Sequence, residues 1–236
     1  MTFSMRRFQA IVQKEWKDAI KNPQVLLMAA MPIMFTLLFQ RMGMEAGILL
    51  SMPILFVLSM TAAFVQASMV SEEKEKHTLR VLMLSPASAI EILFGKSFIT
   101  MLISIVVVAI SVVVVGPTLT MDYLWLVLMF LLALIMFIAI GTIIGLISRT
   151  VQETSISGLP VLLIFMVGPM FAPMLKNEFL ETIVSYLPTD HLIHALTEIT
   201  KGNGFSAIQG DFLNILIWTA LSIPACLIIY RKRRFD

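Results

Sequence analysis

The sequence predicts an all-α, polytopic membrane protein: six transmembrane helices, an amino-terminal interfacial helix, a short cytoplasmic helix between the second and third spans, and an outer re-entrant segment. Three observations predict it. Of the 236 residues 58% are hydrophobic, and the mean hydropathy is +0.93, too apolar for a water-exposed surface. Six windows, 24–40, 47–70, 97–116, 123–147, 156–175 and 212–230, contain no Asp, Glu, Lys, Arg or His; each reaches or approaches the ~20 apolar residues a helix needs to cross the hydrocarbon core. Fourteen of the seventeen Lys and Arg fall on one side of the resulting topology, against Arg41, Lys176 and Lys201 on the other. The positive-inside rule therefore places both termini in the cytoplasm, as an even number of spans requires.

In residues 1–23, Phe8, Ile11, Val12, Trp16, Ala19 and Ile20 recur at helical spacing, while Arg7, Lys14, Lys17 and Lys21 take the other positions. This is an amphipathic helix for the inner membrane interface, its cations facing anionic headgroups. Asn22-Pro23 ends it and starts the next helix, since Asn caps well and Pro suits a first helical position. No apolar core follows Met1 directly, so the first span is expected to serve as the insertion signal. Spans 1 and 2 occupy 24–70, the cytoplasmic segment 71–96, and spans 3–5 residues 97–175. The prolines within spans are tolerable where neighbouring helices satisfy the freed backbone. "GPMFAP" at 168–173 is expected to bend or end the fifth helix. Residues 176–210, with Phe179, Leu180, Ile183 and Val184, predict an outer helix lying on or dipping into the membrane. Residues 211–236 hold span 6 and the basic tail "RKRRFD", an inside anchor that needs no nucleic acid to explain it.

The charges missing from the spans gather in "SEEKEKHTLRVLMLSP", residues 71–86. Ser71 reads as a helix cap, with Glu72, Glu73 and Glu75 in a first turn where the dipole favours negative charge. Leu79, Leu82 and Met83 form an apolar stripe at i, i+3 and i+4, Pro86 stops the helix, and Ser88-x-x-Glu91 is a capping box opening the next one. A helix charged at its start and apolar on one face rests on its own membrane or fits a groove in a partner. Ion-coupled transporters need ionisable residues at membrane depth, and the six windows have none. The sequence also lacks a Walker-type loop, so this chain does not hydrolyse ATP. Work for uphill transport would arrive from another polypeptide at the cytoplasmic face, and the helix after span 2 is the natural contact.

These residues resemble a family. "KEWKDAIKNP" before the first span, "EKEKHTLRVLMLSPAS" after the second, "ILFGK" leading into the third and the late "SYLPTDHLIHAL" are similar to permease subunits of type-2 (ABC-2) exporters among the ABC transporters. The resemblance covers nearly the whole chain and implies a single permease domain over 1–236. It also implies pairing with a second permease copy or homologue and with two cytoplasmic ABC ATPase subunits, which would hold the ATP and Mg; this chain itself would bind no cofactor. By the same resemblance residues 1–23 form a connecting helix, with Trp16, Lys17 and Ile20. Residues 72–84 form a coupling helix that meets the ATPase through Glu72, Glu73, Glu75, Lys76, His77, Thr78, Leu79, Leu82 and Met83. Glu73 and Glu75 are expected at the solvated rim of that contact. His77 stands where the family usually has Gly. The expected location is the plasma membrane of a bacterial cell.

Two other classes fit less well. An intramembrane metal-dependent enzyme would draw on His191, His194 and Glu198, at i, i+3 and i+7 in "TDHLIHALTEI", yet there is no His-Glu-x-x-His. A Ser nucleophile at Ser157 lacks a histidine at matching depth. An ion-coupled secondary transporter is opposed by the uncharged spans. The single cysteine, Cys226, excludes a disulfide framework, and the scattered Met read as apolar filler. With only weakly polar span residues such as Gln66, Ser104, Ser111, Thr142 and Asn214, the pathway is expected to suit hydrophobic or amphipathic cargo. The outer segment, through Pro188, His191 and His194, is expected to form a lid over it.

Overall fold

A computed structural model describes residues 4–44, 46–78, 88–117, 121–175 and 177–233. Six of its helices are long and apolar enough to cross a membrane, and no strand occurs among the described residues. The chain is an all-α polytopic membrane protein. Its elements are α1 (Met5–Lys21), α2 (Pro23–Arg41), α3 (Ala46–Phe56), a π-helical stretch (Val57–Phe64), α4 (Val65–Glu75), α5 (Ala89–Val115), α6 (Tyr123–Ile147), α7 (Val151–Leu175), α8 (Glu178–Val184), α9 (Pro188–Thr200) and α10 (Phe205–Arg233).

The first turn-off is as the sequence predicts. The Asn22 side-chain oxygen accepts from the backbone N–H groups of Gln24 and Val25 at 3.0 and 3.4 Å, and Pro23 takes the first helical position. α1 packs on α5 along a face carrying Phe8, Ile11 and Ala19, with Ile11 seated where a side chain at Gly95 would come within 2.5 Å of it. Trp16, Lys17 and Ile20 are on the exposed side. In α2 the ring of Pro32 supplies no N–H to the Met28 carbonyl one turn back; the Thr61 hydroxyl from the π-helical stretch donates to that carbonyl instead, at 3.1 Å.

α3, the π-helical stretch and α4 run on as the second span, and this is the central one. Its most apolar window is 72% buried, against 17% for the first span and 22% for the last. Val57, Leu58, Met129, Leu134, Phe137 and Ile215 form the middle of the core around it. Gly141 and Gly145 on α6 let the two backbones meet: a Cβ at Gly141 would lie 2.2 Å from the Ala63 carbonyl oxygen, and one at Gly145 2.5 Å from that of Ala67. Small residues four apart permit such an approach between membrane helices. Gln66 is buried between the same helices, its amide donating to Thr142 at 3.1 Å while its oxygen accepts from Thr100 at 2.6 Å. Thus Gln66 and Thr142, together with the buried Ser104 and Ser111, sit inside the bundle.

Three boundaries differ from the sequence reading. Residues 71–75 do not begin a separate helix; they are the last turn of the second span, because α4 continues without a break to Glu75. The fifth helix passes through Gly168 and Pro169 and ends only at Leu175. The final helix starts at Phe205, so Asp211 lies in its second turn and 205–210 belong to it rather than to the outer segment.

Candidate functional site: a charged hub at the basic end

Glutamates in the last turn of a helix face its negative dipole end, so α4 needs a reason to finish in Glu72, Glu73 and Glu75. Its neighbours supply one. Glu73 is buried and forms ion pairs with Lys14 of α1 and Lys96 of α5. Lys96, itself 2% exposed, also holds Glu15 of α1 at 2.9 Å, and Lys14 reaches Glu15 at 3.1 Å and Asp18 at 3.4 Å. Two ammonium groups and two carboxylates therefore alternate in one closed cluster, the arrangement that makes buried charge tolerable.

The rest of the run fans out from there. Glu72 accepts from the Asn22 side chain at 2.9 Å and pairs with Lys76 at 2.5 Å. The Lys74 ammonium donates to the Leu146 carbonyl at the end of α6, at 2.7 Å. Glu75 accepts from the Val151 N–H at the start of α7, at 3.1 Å. His77 has φ +56°, the only positive φ at a non-Gly position among the described residues, so the position where the resembled family usually has Gly is one that favours Gly sterically. Nearby, the Ser88/Glu91 capping box is complete, and Glu91 also binds Arg7 at 2.9 Å, tying α1 to the start of α5.

Electrostatics in the cluster follow from this geometry. Burial works against the charge on Lys14, but the carboxylates of Glu73 and Glu15 outweigh it and raise its pKa above the ordinary lysine value. Burial likewise opposes ionisation of Glu15, and Lys96 and Lys14 outweigh it, so that carboxyl sits below its ordinary range. Beside the cluster a groove of about 420 Å³ opens between α1 and the end of α4, edged by Asp18, Lys21, Glu72, Lys76 and Thr78.

Of the sequence-predicted coupling residues, Glu72, Glu73, Glu75, Lys76, His77 and Thr78 gather at this end. Leu79, Leu82 and Met83 lie outside the described residues. Glu73 is not at a solvated rim: it is interior, because two lysines from other helices converge on it. Lys14 likewise does not face headgroups, since Glu73 and Glu15 draw it inward. Sequence reading missed Glu15 and Lys96 as partners. A glutamate among the inward positions of an amphipathic helix and a lone lysine at the head of an apolar run were the available signals.

At the opposite end α9 is pinned to α10. The Nδ1 atoms of His191 and His194 lie 2.6 and 2.8 Å from the two carboxylate oxygens of Asp211. Pro188 is buried at the start of α9, whose Leu192, Ala195, Leu196 and Ile199 enter the main core. The metal triad does not assemble, since Glu198 turns instead to Lys201 and Asn203, at 2.9 and 2.6 Å. Among the described residues no group of three or more His, Cys, Asp or Glu is arranged to hold a metal ion. A third feature is an apolar crevice of about 200 Å³ between α2, the π-helical stretch and α7, with Met28, Met60, Phe64, Leu159 and Leu162 on its walls and Gln24, Ser59 and Ser155 as its polar members.

A bundle of six spanning helices with a hub of paired charges at one end defines a polytopic membrane protein. The chain matches the family model of the ABC-2 family transporter proteins over residues 8–230 and belongs to that family. It is accordingly a membrane-embedded transport permease. Comparison with the curated proteins gave no match.

Proposed function

We propose that this chain is the membrane-spanning permease subunit of an ATP-driven exporter. It works with a second permease copy or homologue and two cytoplasmic ATPase subunits, which bind the ATP and Mg. The basic end faces the cytoplasm in this reading, which the excess of Lys and Arg on that side supports. The observation that carries the reading is the hub, in which the charged run that ends the second span bonds to α1, α5, α6 and the start of α7. A partner that grips residues 72–84 would thereby move four other helices. Hydrophobic or amphipathic cargo, such as a drug, a membrane-active peptide or a lipid-like molecule, suits the apolar crevice, whose buried Ser59 hydroxyl has no hydrogen-bond partner among the described residues. α9, held by His191 and His194 with Pro188 at its start, acts as the outer lid.

The test is docking. Leu79 and Leu82 fill an apolar groove on the ATPase, and losing one buried Leu side chain forfeits about 1.5–3 kcal/mol, which weakens binding roughly ten- to hundredfold. Leu82→Asp is expected to lose the ATPase on co-purification in nanodiscs while the six spans still insert. Retention of the partner with normal transport would leave residues 72–84 as a membrane-surface segment only.

A further inference from the structure

The charged run has two outputs, and they go to different places. Glu73 is taken up by α1 and α5, within the closed cluster of Lys14, Glu15 and Lys96. Lys74 and Glu75 go to the turn between α6 and α7 instead: Lys74 donates to the Leu146 carbonyl in the last turn of α6, and Glu75 accepts the first N–H of α7. Two further donors at that turn are satisfied locally. Glu153 N–H donates to the Thr150 hydroxyl at 3.1 Å, and the Glu153 carboxylate accepts from Arg149 N–H at 2.7 Å. Among the described residues Glu75 supplies a cap on α7 that comes from another span. One turn further along α7, Ser155 enters the wall of the crevice, followed by Leu159 and Leu162.

We infer that Lys74 and Glu75 are positioning residues for the crevice: they fix the start of α7, and through it the crevice wall, to the end of the second span. A displacement of the charged run is then delivered to the cargo crevice by way of the α7 N-terminus, while Glu73 carries it separately to α1 and α5. The step from partner to charged run rests on the function proposed above; the step from Glu75 to the crevice does not.

The experiment uses the full chain in nanodiscs, in a Cys226→Ala background with Ser155→Cys as reporter. Glu75→Ala is expected to raise maleimide labelling at position 155 by ~5-fold, the size of one lost helix-cap bond, and to speed amide exchange over 151–155 while 208–219 stays unchanged. Glu75→Gln keeps an acceptor oxygen and is expected to restore both readouts. Lys74→Met, which releases the Leu146 carbonyl, is expected to shift labelling in the same direction. Unchanged labelling in Glu75→Ala, loosening spread equally over all spans, or a Gln variant as perturbed as the Ala variant would overturn the inference. None of these readouts requires the ATPase. Failure of ATPase docking with the labelling pattern intact sinks the exporter reading and leaves this one standing.

Discussion

The hub at the basic end and the clamp at the opposite end both pin one helix to another through carboxylates, yet they are built from different chemistry. The hub sets the buried Lys96 and the half-buried Lys14, both of permanent charge, against two buried glutamates, drawn from three helices. The clamp sets two histidines, whose charge depends on pH, against one carboxylate, and His194 remains 57% exposed. Charges enclosed together cannot be separated without stranding one of them away from water, so the hub is all-or-none. A hydrogen-bonded pair of imidazoles beside solvent can open one at a time, so the clamp is graded. On the function proposed above, this sets rigidity at the ATPase end and compliance at the end where cargo leaves.

The largest effect separating the two ends is expected from Lys96→Met. Removing this cation leaves the buried Glu15 and Glu73 with only the half-buried Lys14 between them, which costs about 3–5 kcal/mol. Thermal unfolding in detergent is expected to show that loss, and Lys96→Met combined with Glu15→Gln is expected to recover part of it. If Lys96→Met unfolds like the wild type, the hub is not enclosed and the contrast disappears.

Asp211→Asn comes next. It removes the negative charge that both imidazoles address while preserving shape, and a cost of about 1–3 kcal/mol is expected. Amide exchange should rise over α9, residues 188–200, and leave α1 unaffected. A global change of stability equal to that of Lys96→Met would mean that the clamp is as indivisible as the hub.

Acidification gives the smallest effect, and at one end only. Glu15 has a lowered pKa, so its contribution is complete above the ordinary carboxylate range and fades only as pH falls through the lowered value. Lys14 has a raised pKa, so its contribution is complete below the ordinary lysine range and is lost only as pH climbs through the raised value. The hub is thus insensitive near neutrality. Burial raises the pKa of Asp190, next to the clamp, against the influence of His191 and His194. Its contribution is complete below the ordinary aspartate value and is lost as pH rises through the raised one. Protection of the α9 amides relative to their intrinsic exchange rate is accordingly expected to rise as pH falls from neutrality toward the ordinary aspartate range, with protection over α1 unchanged. A rise in protection at both ends would break the comparison.

Much of this architecture was written in local sequence. The six spans follow from apolar run length, α1 from its period, the α1–α2 junction from Asn22-Pro23, and the start of α5 from the Ser88/Glu91 box. Such features need only neighbours within one or two turns. The α6 seat for the central span was also legible in principle, since Gly141 and Gly145 stand four apart, but which helix they face is not a local property.

What the sequence could not rank was the end of the second span. Ser71 followed by three glutamates has the local pattern of a helix start, and by propensity alone that reading is sound. Only the tertiary structure decides otherwise, because Lys14 and Lys96, 59 and 23 positions away from Glu73, converge on it and make a helix end rich in carboxylates stable. The same holds for His191, His194 and Asp211: each was visible, but their meeting depends on α10 starting at Phe205 and bringing Asp211 under α9. Hydrophobic period and capping act over a few residues, and so a sequence determines helices. The pairing of charges acts across space, and so it waits on how those helices pack.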